Sequence, residues 1–367
     1  MQKRKTCFAA LELCGAMIGA GFATGREVAA FFSRFGLWSW LGIAAGTGTI
    51  ALLGGALACG CARRGKKNLA ECFPGAQGGL PQGAFLLLLF TTGGAMAAGA
   101  AELAKLTVPL HGAEWLGGVG TMALCWLLSR GKIPALTVLS GLLMVVLIVL
   151  MGLCWLLPVE QSFSLRVVSA VPPGLEGICW GGFNLAFAAP LICRRAELSR
   201  APVWAAALLA LLLTLGNGLL LRFPALWHHP LPMVALFSAL GKPGFVLGAT
   251  ALYLAILTTL LAVFQGLREM LPPGLAWREG VTLAGVGGIA MAGFQGIVGV
   301  GYLLLGALCL CILGASLSHG KEAGKEKSAL FVPVVLLYNT NRNAMQRGLK
   351  YAISRKLPGN RPGCTAA

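Results

Sequence analysis

Apolar residues form long blocks along this chain, and charged residues are concentrated in the short segments between them. The block at 141–157, for example, contains no charged side chain. About 20 apolar residues are needed for a helix to cross the hydrocarbon core of a bilayer. The pattern predicts ten membrane-spanning helices, at about 6–33, 37–60, 82–104, 114–129, 133–157, 170–193, 202–221, 244–265, 280–295 and 297–316.

Two boundaries in this pattern leave alternatives open. The basic residues 1–5 and the apolar run after them resemble a signal peptide, but Glu12 and the length of the run favour a first membrane helix. The glycine-rich stretch 293–301 is either a turn between the last two spans or part of one continuous helix.

Composition excludes an ordinary soluble protein. Hydrophobic residues make up 57% of the 367 residues, and charged residues only 11%, against about 25% in typical soluble domains. The net charge of +17 does not predict nucleic-acid binding, because the basic residues cluster in alternate loops and in the tail. This distribution follows the positive-inside rule. It predicts a multi-pass membrane protein, in contact with lipid, with both termini cytoplasmic.

Two domains are expected: a transmembrane domain over 1–316 and a basic cytoplasmic tail over 317–367. The apolar run 329–338 in the tail is too short to span a bilayer. It either lies on the inner leaflet, attracted by anionic lipid, or belongs to a disordered tail. The oligomeric state is left open.

Spans 1 and 6 each contain a glycine cluster, and they lie five spans apart. An odd number of helices per repeat places the second copy upside down in the membrane, and paired interrupted helices indicate a transporter binding site. The expected fold is an all-α integral membrane protein of about ten helices. It forms a five-plus-five inverted repeat, about 6–157 and 170–316, with broken helices 1 and 6.

The cluster in span 1 consists of Gly15, Gly19, Gly21 and Gly25. Glycine disfavours helix, and unwound backbone offers carbonyls to a cation and amides to a carboxylate. We therefore expect Gly19, Ala20 and Gly21 to contact the substrate. Close helix packing explains the same spacing equally well, but the polar residues 24–27 that follow favour a functional role.

The cluster in span 6 contains Gly181 and Gly182, followed by Asn184. Unwinding there would present carbonyl and amide groups to the substrate. Span 8 places Ala255, Thr258 and Thr259 on one helical face. Their oxygens suit a hard monovalent cation, although threonine in a membrane helix usually bonds a carbonyl of its own helix.

Carboxylates at membrane depth are functional candidates, because burying their charge is costly. Glu12, Glu27 and Glu102 are candidates for coupling or gating. An ion pair between Glu102 and Lys105 is the structural alternative. No nucleophile motif, nucleotide-binding loop or metal-ligating Cys/His cluster is present in the sequence, so neither an enzyme nor a resident cofactor is predicted.

Residues 17–27, MIGAGFATGRE, resemble the opening of the first helix in the YkvI-type bacterial membrane proteins. These are grouped with the amino acid–polyamine–organocation superfamily, which has the leucine-transporter fold. The resemblance covers the ten spans and implies a location in the bacterial plasma membrane. It implies a sodium ion between the first and eighth helices, held by carbonyls of Gly15, Ile18 and Ala255 and hydroxyls of Thr258 and Thr259. Span 3 lacks the tyrosine that many relatives use as a gate and has Phe90, Thr91 and Thr92 instead.

The leading hypothesis is sodium-coupled symport of an amino acid or a similar small zwitterion. Coupling to protons through Glu12 or Glu102 is the alternative within transport. A non-transporting membrane sensor or scaffold with the same fold is the alternative from another class.

Overall fold

The computed structural model of the protein describes residues 2–65, 80–130, 136–158, 171–194, 198–271 and 277–322. These residues form helices and turns, with no β-strand among them. The chain divides into two compact units, Met1–Ile312 and Leu313–Ala367. Most of the predicted basic tail, from 323 onward, lies outside the described residues.

A helix occupies each of the ten predicted positions. The first span comprises α1 (Gln2–Met17), α2 (Ala20–Ala23) and α3 (Arg26–Phe31), and a 3₁₀ helix, Ser33–Trp38, leads from it into α4 (Ser39–Arg64). The next five spans are α5 (Leu80–Thr107), α6 (Ala113–Leu128), α7 (Leu136–Cys154), α8 (Pro173–Arg194) and α9 (Ala201–Arg222). A 3₁₀ helix, Pro224–His228, and α10 (Pro232–Ser238) connect α9 to α11 (Gly241–Met270). The chain continues with α12 (Arg278–Ala290), α13 (Phe294–Gly296), a π-helical turn (Ile297–Gly301) and α14 (Tyr302–Glu322).

Length and composition make this a multi-pass membrane protein. Among the described residues, six helical stretches are long and apolar enough to cross a bilayer: Ser33–Arg63, Gln82–Thr107, Pro173–Arg194, Ala201–Arg222, Gly241–Arg268 and Phe294–Leu313. Shorter apolar helices lie at Thr6–Met17, Ala113–Leu128 and Val145–Cys154. Large apolar side chains such as Trp115, Leu116 and Leu304 are exposed, as expected where lipid replaces water. A full count of ten crossings stays a prediction.

The spanning helices pack in two groups. In the first, α4 packs along α8 and α9, and α1 packs against α8 and α9. In the second, α5 packs against α6, α11 and α12. The groups meet where the short α2 contacts α5 and α11, so the interruption of the first span lies between them.

Span 6 is not interrupted, and the predicted break near Gly181 and Gly182 is wrong. Helix α8 runs unbroken from Pro173 to Arg194, even with Pro190 inside it. A Cβ on Gly181 would collide with the carbonyl oxygen of Gly46 on α4, and one on Gly182 would collide with the side chain of Leu310 on α14. These glycines therefore allow neighbouring backbones to approach closely, which is the packing use of small residues in membrane helices.

Candidate functional site

The predicted interruption of the first span is present, and it begins at residues 18–19. The amide of Gly19 donates to the carbonyl of Met17 at 2.9 Å, instead of to Gly15 four residues earlier. The helical ladder resumes when the amide of Ala23 donates to the carbonyl of Gly19 at 3.2 Å. The turn therefore releases the Gly15 carbonyl from its bond to the Gly19 amide, as an unwound cation-binding segment requires.

A second turn, at Thr24 and Gly25, separates α2 from α3. Gly25 has φ 76°, a left-handed conformation that favours glycine. The Thr24 hydroxyl donates to the carbonyl of Gly21 at 2.7 Å and accepts from the amide of Arg26 at 3.0 Å. The amide of Met233, in α10, donates to the Thr24 carbonyl at 2.8 Å. The connection between α9 and α11 is thus anchored to the first span at this turn.

Helix α11 presents Thr259 to the first interruption. The Cβ position of Gly19 lies 3.6 Å from Oγ1 of Thr259. Thr258 and Thr259 are each 9% exposed, and Ala255 is fully buried. The Thr258 hydroxyl donates to the Ala255 carbonyl at 3.0 Å, which leaves its oxygen lone pairs available. The structure therefore brings the glycine cluster of the first span close to Thr259 of α11. The sequence analysis had paired these two segments.

Glu27 folds back from α3 onto the interruption. Its side chain is 4% exposed, and its Oε2 accepts from the indole Nε1–H of Trp180 on α8 at 3.0 Å. A Cβ on Gly21 would overlap the Glu27 carboxylate and lie 2.8 Å from its Cγ. Only glycine at position 21 leaves room for the carboxylate in this place.

The close α4–α8 packing positions Trp180. A Cβ on Gly46 would lie 2.7 Å from the Gly177 carbonyl oxygen and 3.1 Å from Cε3 of Trp180. The Trp180 ring meets Phe32 edge-on, with centroids 5.3 Å apart. The side-chain amide of Asn184 donates to the Trp180 carbonyl at 3.0 Å. This bond uses the side-chain nitrogen of Asn184, and the predicted contact of Asn184 with the substrate stays a prediction.

Tyr302 belongs to the same region and was missed in the sequence analysis. Its ring stacks on Phe183 with centroids 4.0 Å apart, and the π-helical turn before it packs against α3, the helix that carries Glu27. It follows directly after the π-helical turn, and such turns occur frequently at functional sites. A tyrosine directly after the glycine-rich 293–301 stretch was the available clue.

The other predicted carboxylates lie elsewhere. Glu102, on α5, and Glu12, on α1, are both half-buried. The structure gives Glu102 and Lys105 no ion pair with one another within the described residues. Glu176, at the start of α8, is buried and pairs with Arg34. That pair joins the segment after α3 to α8.

Two further polar groups are buried, and one of them, Asn217, was missed in the sequence analysis. Asn217, on α9, accepts from the Ser33 hydroxyl at 2.9 Å and donates to the Ser39 hydroxyl at 2.8 Å, all within the protein interior. Thr92, on α5, is 4% exposed, and within the described part of the chain its hydroxyl has no hydrogen-bond partner. The hydrogen bonds of Asn217 join distant parts of the chain, and such contacts leave no spacing pattern in a sequence.

The described residues contain no group of three or more His, Cys, Asp or Glu side chains that could hold a metal ion. No family model and no curated protein matches the chain. The chain is similar to the crystal structure of the Eremococcus coleocola manganese transporter in complex with an aromatic bis-isothiourea substituted compound. The identity is 18%, the match covers 87% of this chain and 72% of that chain, and the TM-score is 0.37. A TM-score of this size does not establish a shared fold.

Proposed function

We propose that this protein is a secondary active transporter that binds a small solute at the interrupted first span. The interruption itself is the observation that carries the proposal. Unwound backbone at membrane depth is tolerated where it is buried in protein or lines a cavity. Here it lies against buried threonines on one side and a buried carboxylate on the other.

The pairing of helices supports an inverted repeat as part of this proposal. An inverted five-plus-five repeat exchanges each helix with the one five spans away. The packing of α4 with α8, spans 2 and 6, then has its counterpart in α9 with α1, spans 7 and 1. Likewise, α5 with α12 corresponds to α11 with α6, and α11 with α2 corresponds to α5 with α8. Such agreement favours an internal two-fold relation between residues 6–157 and 170–316.

Sodium is the coupling ion that we propose. Its ligands are the carbonyls of Gly15, Ile18 and Ala255 and the hydroxyls of Thr258 and Thr259. The proximity of Gly19 to Thr259 supports a shared site. Neutral oxygens of this kind suit a dehydrated monovalent cation, whereas a divalent ion usually binds carboxylates. The solute that we propose is an amino acid or a similar small zwitterion, bound beside the sodium near Gly19, Ala20 and Gly21.

Thermal unfolding in detergent tests the sodium site. At equal ionic strength, sodium should raise the Tm of the wild-type protein above its value in potassium. The double variant Thr258→Val, Thr259→Val removes both hydroxyls at nearly constant volume and should abolish the difference. Thr47→Val is the matched control, because Thr47 is buried and its hydroxyl bonds its own helix at 2.7 Å. An equal sodium effect in the double variant would refute the site.

Uptake into proteoliposomes separates the remaining alternatives. A sodium gradient should drive accumulation of solute, and a proton gradient alone should not. Accumulation driven by protons and lost in Glu12→Gln or Glu102→Gln would favour the proton-coupled carrier. A protein that binds no solute, but whose deletion phenotype is reproduced by removing 317–367, would be a sensor or scaffold.

A further inference from the structure

Glu27 and Glu176 are the two charged side chains that are buried among the described residues, and they differ in their partners. Glu176 is neutralised by Arg34. Glu27 accepts a hydrogen bond from the neutral indole of Trp180, and no Lys or Arg lies within ion-pair distance of it in the described part of the chain. An isolated carboxylate is costly to bury. The absence of a countercharge for Glu27 among the described residues therefore points to a positively charged ligand.

We propose that Glu27 binds the ammonium group of the transported solute, so that the recognised class is an organic amine. This proposal deepens the proposed function and rests on it. Aromatic groups lie on one side of the carboxylate, where Trp180 bonds it and Phe32 meets the Trp180 ring. The Phe183–Tyr302 stack follows the π-helical turn that packs against α3. A carboxylate combined with aromatic faces suits an organic ammonium, through charge-assisted hydrogen bonds and cation–π attraction. The oxygen-rich end at Gly19 and Thr259 suits sodium better.

The position of Glu27 also determines which end of a zwitterion faces the interruption. Its carboxylate lies against Gly21, within the segment 19–21 that was expected to receive a solute carboxylate. Two like charges a few ångströms apart in a protein interior repel each other strongly. The solute therefore directs its ammonium group toward α2 and Glu27, and an amine without any carboxylate fits the same place.

Binding of a matched ligand series to the detergent-solubilised full chain tests this proposal. The series is 3-methylbutylamine, leucine and 4-methylpentanoate, which share a branched chain and differ in their charged groups, with shorter and longer homologues of each. Calorimetric titration in sodium should show binding of the amines and amino acids and none of the carboxylic acids. Glu27→Gln keeps the acceptor for Trp180 and should weaken amine binding about 10- to 100-fold.

Two variants make the result specific. Glu114→Gln changes an exposed glutamate on α6 and should leave the amine Kd unchanged. Trp180→Phe removes the N–H donor, keeps an aromatic face and should weaken amine binding only a few-fold. If Glu27 were merely structural, both Glu27→Gln and Trp180→Phe would lower Tm without changing the amine Kd, and the proposal would be wrong.

Failure of this proposal is distinguishable from failure of the proposed transport function. Glu27→Gln should keep the sodium-dependent rise in Tm, because Glu27 is not among the proposed sodium ligands, Gly15, Ile18, Ala255, Thr258 and Thr259. Binding of 4-methylpentanoate and leucine without the amine would overturn the amine proposal and leave a sodium-coupled transporter intact. A wild-type protein stabilised by sodium that binds none of the amines would also overturn it.

Discussion

At the scale of single residues, the relation between Gly21 and Glu27 can be tested directly. A methyl group on Gly21 would overlap the Glu27 carboxylate. Gly21→Ala should therefore displace the carboxylate, break its bond with Trp180 and cost about 1–3 kcal/mol, as overpacked interior positions do. Thermal unfolding in detergent should show a lower Tm.

Measuring Gly21→Ala in a Glu27→Ala background provides the control for this prediction. In a Glu27→Ala background the new methyl group has room, so Gly21→Ala should cost less there, with a coupling of about 0.5–3 kcal/mol. Gly19→Ala places its methyl group 3.6 Å from Thr259 Oγ1, an ordinary contact, and should cost less than Gly21→Ala. Equal costs in both backgrounds would mean that the carboxylate does not lie against Gly21.

The residue chemistry of the site was only partly predictable from the sequence. Glu27 and the 15–25 glycines could be singled out, because charges and helix breakers are conspicuous inside an apolar span. The bond from Trp180 to Glu27 joins residues far apart in the chain. Period and spacing carry no information about such a contact, so the sequence does not pair Trp180 with Glu27.

At the scale of helices, position was predictable because apolar blocks end at charged loops, as membrane helices must. The continuity of each helix was less predictable. Glycine favours both unwinding and close packing, so spans 1 and 6 look alike in sequence. The neighbours decide between the two uses: the Cβ positions of Gly177 and Gly181 meet backbone carbonyls of α4. That contact exists only once the helices are assembled.

This explanation of span 6 predicts a contrast between two glycines of α4. A Cβ on Gly46 would lie 2.7 Å from the Gly177 carbonyl oxygen, which is backbone and cannot rotate away, whereas one on Gly48 would meet nothing within 4 Å. Gly46→Ala should separate α4 from α8 and cost about 1–3 kcal/mol. Gly48→Ala should be neutral, or stabilising by up to about 1 kcal/mol, because alanine favours helix. Tm values measured side by side check the prediction, and a cost at Gly48 similar to that at Gly46 would contradict it.

At the scale of the whole molecule, the distribution of basic residues predicts which side of the membrane each connection faces. Ala62, at the end of α4, should be cytoplasmic, and Ala225, between α9 and α11, should be outside; both are exposed. Single cysteines can be placed there after all twelve native cysteines have been changed to Ser. In intact cells, a membrane-impermeant thiol reagent should label Ala225→Cys and not Ala62→Cys. Labelling of Ala62→Cys from outside would overturn the ten-span topology.

Sodium binding and amine binding should each change the affinity for the other ligand, because both affect the arrangement of the two helix groups. Sodium beside Thr259 and an amine at Glu27 both hold the short α2, which contacts α5 and α11, so both ligands stabilise one arrangement of the two helix groups. Direct repulsion between the cations is limited, because an amine paired with Glu27 presents sodium with a neutral neighbour. Sodium should therefore tighten amine binding, and by linkage the amine should tighten sodium binding by the same factor, about 5- to 150-fold. Titrating amine with and without sodium, and sodium with and without amine, measures both factors. A factor of one in each titration would mean that the ligands do not share a state, and coupled transport through this site would then be excluded.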